Sequence, residues 1–239
     1  MVLNEKTFSA AAWAEAVSIV KAEFLPALWD TLYITLLSTL FAAVIALPLG
    51  VLLASGGKNG VLRAPEPVLK VLGFVINVLR SVPFLILIIL VIPFTRLLLG
   101  TAVGNNSFIV SLVVAAFPFI TRLFEASIRG VDPGVIEAAK SIGASPRQIV
   151  TKVLLPEAFP SLLSDVTIAL TTVLGYTAMS AAVGGTGLGS LAINVGFYRN
   201  KFLVMLFAVI LLIVLVQLFQ SVGTFLSKKA DKRRKGGGV

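Results

Sequence analysis

Charge-free stretches dominate the chain, and basic residues punctuate them. Residues 31–57, 166–198 and 202–227 hold no Asp, Glu, Lys or Arg over 27, 33 and 26 positions. A helix needs about 20 mainly apolar residues to cross the hydrocarbon of a bilayer. These stretches predict spans at 31–54, 161–184 and 202–225. Between them, 71–79 and 81–95 are apolar on either side of Arg80, and 97–120 is charge-free but contains Gly100-Thr-Ala-Val-Gly104-Asn-Asn-Ser107, a turn by composition. Two further spans are predicted there, 68–95 and 106–128. The pattern is that of an all-α integral membrane protein with five transmembrane helices, whose termini lie on opposite sides.

Composition and charge agree. Hydrophobic residues make up 57% of the chain and charged residues 13%, about half the usual charged share of a soluble domain. That excludes a soluble globular enzyme and a disordered chain alike. The net charge of +9 is a topology signal. Lys58, Arg63, Lys70, Arg129, Lys140, Arg147, Lys152, Lys228, Lys229, Lys232, Arg233, Arg234 and Lys235 share one side, which the positive-inside rule makes cytoplasmic. The N-terminus is then outside and the C-terminus cytoplasmic. Residues 1–26 form an external segment without a signal-peptide pattern, with an amphipathic helix over 8–24. Residues 226–239 form a basic cytoplasmic tail suited to anionic lipid. Nucleic acid is not an expected partner. There is no Cys and no His, so thiol chemistry, the commonest metal ligand and the commonest general base are missing.

The segment 129–160 is the most punctuated part of the chain. Asp132-Pro133 reads as a helix cap followed by proline at the first helical position. Gly143 reads as the residue just past that helix. Ser145-Pro146 opens a second helix, expected to end before Pro156. Val135, Ala139 and Ile142 share a face of the first helix; Ile149, Val150 and Val153 share one of the second. Spacing alone favours a loop lying on its own protein over a docking device.

Glu137-Ala138-Ala139, three residues, Gly143, nine residues, then Val153-Leu154-Leu155-Pro156 resembles the EAA loop of ABC importer permeases. The family pattern is Glu-Ala-Ala, three residues, Gly, nine residues, Ile-x-Leu-Pro; Val153 stands where Ile is usual. Asp30-Thr31-Leu-Tyr-Ile-Thr, Arg80-Ser-Val-Pro83-Phe-Leu-Ile and Gly175-Tyr-Thr-Ala-Met-Ser-Ala-Ala-Val-Gly184-Gly-Thr-Gly-Leu-Gly189 are similar to the permease subunits of methionine importers. The resemblance covers about 27–225, the membrane domain. It implies a type I ABC importer permease fold of the bacterial inner membrane, working as a homodimer that passes D- and L-methionine. The alternative within importers is another amino acid or small solute. It also implies that 129–160 is a coupling loop seated on a separate ATPase, with Glu137, Ala138, Ala139, Gly143, Leu155 and Pro156 as coupling residues. Implied partners are two ATP-binding subunits and an extracytoplasmic methionine-binding protein or lipoprotein, besides membrane lipid. No Gly-x-x-x-x-Gly-Lys-Ser/Thr loop occurs, so ATP and Mg are expected on the partner, with no cofactor on this chain. The chain is read as a transport subunit rather than an enzyme.

The fourth span carries Thr167, Thr171, Thr172, Tyr176, Thr177 and Ser180 around Gly175. Such residues let helices approach closely and supply polar atoms in a dry place; they suit a translocation path and helix–helix packing equally. Met179, flexible and apolar, fits a gate or a packing position. The run from Gly184 to Gly189 lies between two spans and reads as a flexible external loop, not a phosphate cradle. Arg80 is the isolated intramembrane charge. It is expected to pair with Glu125 or Asp165 or to act in substrate passage.

Overall fold

The computed structural model describes residues 8–58 and 60–231. The charge-free stretches fold as helices because a chain in hydrocarbon must satisfy its peptide N–H and C=O groups internally. In chain order they are α1 (Ala10–Ser55), α2 (Glu66–Ser81), α3 (Phe84–Leu99), α4 (Asn105–Arg129), α5 (Pro133–Ser141), α6 (Pro146–Ile149), α7 (Leu155–Thr177), α8 (Leu188–Leu191) and α9 (Phe202–Ala230). Four helical stretches are long and apolar enough to cross a membrane, and the α2–α3 pair, bent by 113°, brings the number to five where it is counted as one broken span. The turn expected at Gly100–Ser107 is present. Gly100 and Gly104 take positive φ, and α4 starts directly after them. The tail from 232 onward and Lys6 lie outside the described residues.

Several elements differ from the pattern-based boundaries. There is no separate surface helix over 8–24: α1 is continuous for 46 residues, about 69 Å at 1.5 Å per residue. The sequence is rich in Ala over its first turns and holds no glycine until Gly50, and Pro26 and Pro48 lie inside the helix without ending it. The second span is not a single helix over 68–95. It is broken at Val82–Pro83, where Val82 is extended (φ −77°, ψ 130°), as the residue before a proline prefers. The helix opened by Ser145 does not stop before Pro156. A π-helical turn, Val150–Leu154, joins it to α7. Pro156 then lies just after the π turn, inside one helical stretch that runs on from Pro146.

Two compact units make up the described chain, and the long helices contribute to both. The first takes residues up to Thr39, Phe84–Val114 and Leu170–Phe219. Its core joins Ala16, Phe24 and Ala27 of α1 to Leu174, to Leu188 and Val195, and to Leu203, Val204 and Ala208 of α9. Trp13 meets Phe207 edge-on at 5.9 Å, and Glu15 pairs with Lys201 at 2.7 Å. The N-terminal part of α1 is thus held by packing at its start.

The second unit takes Leu40–Pro83, Ala115–Ala169 and the chain from Gln220 on. Here glycine sets the helix spacing. A Cβ on Gly50 would lie 2.9 Å from the Cβ of Phe124, and one on Gly223 would lie 1.9 Å from Thr167 Oγ1. Hydroxyls stitch the same contacts: Ser227 donates to the Pro160 carbonyl at 2.8 Å and Ser127 to Asp165 at 2.6 Å. A Gly223→Val substitution should force α7 and α9 apart. The expected outcome is a loss of about 1–3 kcal/mol, read as a lower thermal midpoint of the detergent-solubilised chain.

Candidate functional site

The loop 129–160 is a helical hairpin whose ends are all capped from within. At the start of α5, Asp132 accepts from the Gly134 N–H at 2.8 Å, with Pro133 at the first helical position. At its end the Gly143 N–H donates to Lys140 O at 2.9 Å and the Ala144 N–H to Ala139 O at 3.1 Å. This double closure needs a left-handed residue at the exit, and Gly143 supplies it with φ +78°. Ser145 and Gln148 then form a reciprocal capping box: Gln148 N–H reaches Ser145 Oγ, and Ser145 N–H reaches Gln148 Oε1 at 2.8 Å. The Ser-Pro-Arg-Gln spacing carried that signal in the sequence, and the sequence reading overlooked it.

Burial divides the hairpin into an anchored side and a free side. Ala139, Ile149, Leu154 and Ala158 are buried. Glu137, Ala138 and Gly143 are exposed. The apolar face expected of Val135, Ala139 and Ile142 is divided: only Ala139 is buried, while Val135 is 37% and Ile142 86% exposed. Leu155 is half-buried and Pro156 exposed at the start of α7. Behind α5 lies a cavity of about 330 Å³, bordered by Ser55, Arg129, Ile136, Glu137, Lys140 and Leu154. The hairpin is therefore a pre-shaped projection with a small, partly apolar outer surface, fastened along one edge.

In the first unit, α7 leads into a 3₁₀ segment, Ala178–Val183, that carries the remaining candidates. Tyr176 is half-buried and stacks on Phe84, ring centroids 3.5 Å apart and nearly parallel. Thr172 is half-buried, and Met179 is 37% exposed. Ser180 is fully buried and donates to the Thr186 carbonyl at 3.1 Å. It fastens a loop and does not face an opening. That loop is tied to its surroundings by hydrogen bonds. Leu188 is fully buried, and its N–H donates to Thr31 Oγ1 at 2.9 Å. The Thr186 N–H donates to Asn105 at 3.0 Å, and its hydroxyl lies 2.6 Å from Asp30 Oδ2. The glycines between 184 and 189 serve close packing: a Cβ on Gly189 would lie 2.2 Å from Ala178 Cα. The run holds two left-handed positions, at Gly184 and Gly187.

Arg80 corrects another expectation. It sits exposed in the last turn of α2, where the freed carbonyls of the helix end favour a cation. Among the described residues it forms no ion pair. Glu125 is taken by Arg122 and Arg129, and Asp165 accepts from Ser127. The break at Pro83 explains the difference: it makes Arg80 a terminal residue where an unbroken span would have kept it internal.

Residues 46–232 match the family described as binding-protein-dependent transport system inner membrane component. The chain is 46% identical over 209 residues to a probable D-methionine transport system permease protein of Vibrio cholerae serotype O1, covering 87% of this chain and 92% of that protein. It is 43% identical over 176 residues to the methionine import system permease protein of Bacillus subtilis, covering 74% and 79%. A chain from the inward-facing MetNI methionine ABC transporter superposes with a TM-score of 0.82 at 37% identity, over 96% of this chain and all of the other. A chain of an amino acid ABC transporter shares the fold, with a TM-score of 0.73 at 19% identity over 96% of this chain and 100% of that one. The matched residues include the whole capped hairpin and the span that follows it, and the chain belongs to the inner-membrane permease family of binding-protein-dependent transport systems, a transport component and not an enzyme.

Proposed function

We propose that this chain is the permease subunit of an ATP-driven methionine importer, with D- and L-methionine as its solutes. The observation that carries the reading is the internally capped α5–α6 hairpin, which presents Glu137, Ala138 and Ile142 outward. The relatives matched over most of the chain bear the names of methionine permeases, and this favours methionine over another amino acid or small solute. Two copies enclose the path on a two-fold axis, the commonest oligomer symmetry. Two ATP-binding subunits hold ATP and Mg, and an extracytoplasmic binding protein delivers the solute. The N-terminus is outside, and the hairpin faces the cytoplasm.

The chain's part is mechanical. ATP-driven closure of the partner subunits moves the hairpins. A hairpin with fixed caps passes that motion on, where a loose loop would absorb it. The π turn and α7 make the hairpin continuous with the span bearing Thr172, Tyr176 and Met179. Movement of α5–α6 thus acts on the root of that span. Met179 is the proposed gate, and the stacked Tyr176–Phe84 pair fixes the ring of Tyr176 beside it.

Three measurements test the reading. Native mass spectrometry of the gently extracted chain should show two copies with two ATP-hydrolysing subunits, and vesicles holding that complex should accumulate labelled methionine with ATP. A lone chain under several mild detergents would overturn it. Gly143→Val places a β-branched residue at positive φ, a strain of about 1–2 kcal/mol, in open space. It should leave insertion intact and lower uptake relative to ATP hydrolysis; unchanged uptake would remove the coupling assignment. Met179→Gln should make the resting transporter leaky or inactive, read as passive methionine flux in vesicles. A silent variant would make Met179 a packing residue.

A further inference from the structure

We infer that Glu125, with Arg122 and Arg129, forms a clamp that transmits movement of the α5–α6 hairpin to α1 and α2, an assignment that rests on the importer reading above. Glu125 is buried near the end of α4, and both its carboxylate oxygens are engaged. Arg122 Nη1 donates to Oε2 at 2.5 Å, and Arg129 Nε to Oε1 at 3.0 Å. Each guanidinium also reaches a second helix. Arg122 Nη2 lies 3.1 Å from the Gly73 carbonyl and 2.8 Å from Asn77 Oδ1, both on α2. Arg129 Nη2 donates at 2.8 Å to the carbonyl of Leu53. Leu53 is in the last turn of α1, where carbonyls lack an intrahelical donor.

Position makes this network mechanical. Arg129 is the last residue of α4, and Asp132, the cap of α5, follows three residues later. A displacement of the hairpin therefore loads Arg129 first. The contact it loads has no slack: a Cβ on Gly50 would lie 2.9 Å from Phe124 Cβ and 3.2 Å from the Glu125 nitrogen, so α1 and α4 touch at this level. The cavity of about 330 Å³ lies between α5, the end of α1 and Arg129, so Arg129 forms part of the wall against which α5 can move. Stability alone does not call for such a network: Glu125 is buried while the Arg129 side chain is 58% exposed, and an ion pair that is exposed on one side and desolvated on the other contributes little. A directional joint does call for it, because the guanidinium fork fixes two partners in one plane where an ammonium fixes a point.

The test uses the complete complex in proteoliposomes, with methionine uptake and ATP hydrolysis measured on the same sample. ATP-dependent uptake by the unaltered complex establishes the importer reading before any variant is compared. Glu125→Gln keeps the shape and removes the central charge. Arg122→Lys keeps the charge and removes the fork, and it decides the question by itself if the first variant does not assemble. Both are expected to hydrolyse ATP at the unaltered rate while methionine imported per ATP falls about tenfold. Lys70→Gln, which touches only the exposed pair with Glu66, is expected to leave the ratio unchanged. An unaltered ratio in both clamp variants would overturn the inference. So would a proportional loss of uptake and hydrolysis at normal assembly, because that is what a merely structural triad gives.

Discussion

A peptide group buried in hydrocarbon has no solvent to bond, and the architecture follows from how this chain meets that constraint. Most of its length meets it by helix formation. The informative places are the interruptions, where backbone groups leave the helical ladder and must be recovered. At the loop before α8, Thr31 of α1 accepts from the freed Leu188 N–H, and Asn105 accepts from Thr186. At the end of α1, a guanidinium recovers the Leu53 carbonyl. At Gly143 the hairpin closes on its own carbonyls. Each of these three breaks is matched by a polar side chain or a left-handed glycine.

Close approach is the second element, and it depends on the first. Helices that have satisfied their own backbone can pack through small residues without leaving polar groups stranded. Gly50, Gly189, Gly196 and Gly223 stand where even a methyl group would collide with the neighbouring element. Hydroxyls lie beside one of these contacts, that of α7 with α9: Thr167 stands against Gly223, and Ser227 donates to the Pro160 carbonyl nearby. Polar residues that looked like candidates for a solute path therefore include some that hold the protein together, Ser180 above all.

What the sequence disclosed follows a physical line. Span existence was legible from charge-free length, and the hairpin from Asp132, Gly143 and Ser145, because those signals are local. The extent of α1 was less legible: composition marks where hydrocarbon begins but not where a helix ends. The break at Val82–Pro83 was present as a proline but was masked by the apolar residues on both sides. The pairing of Glu125 with Arg122 and Arg129 was there to be read at three- and four-residue spacing, but the further bonds of the two arginines to α2 and α1, 45 to 76 residues away, were not. Arg80, the charge that stood out in one dimension, makes no ion pair among the described residues, whereas Glu125 makes two.

The caps of α5 and α6 have a consequence for evolution. Asp132, Gly143, Ser145 and Gln148 all lie inside the segment they stabilise, so the hairpin's local shape owes little to the rest of the chain. On the proposed reading, a docking element of that kind arrives already ordered, and association does not have to fold it. It is also portable. A short cassette carrying its own start and stop signals can drift with its ATP-hydrolysing partner while the membrane helices drift with the cargo, and the two halves of the protein are free to diversify at different rates.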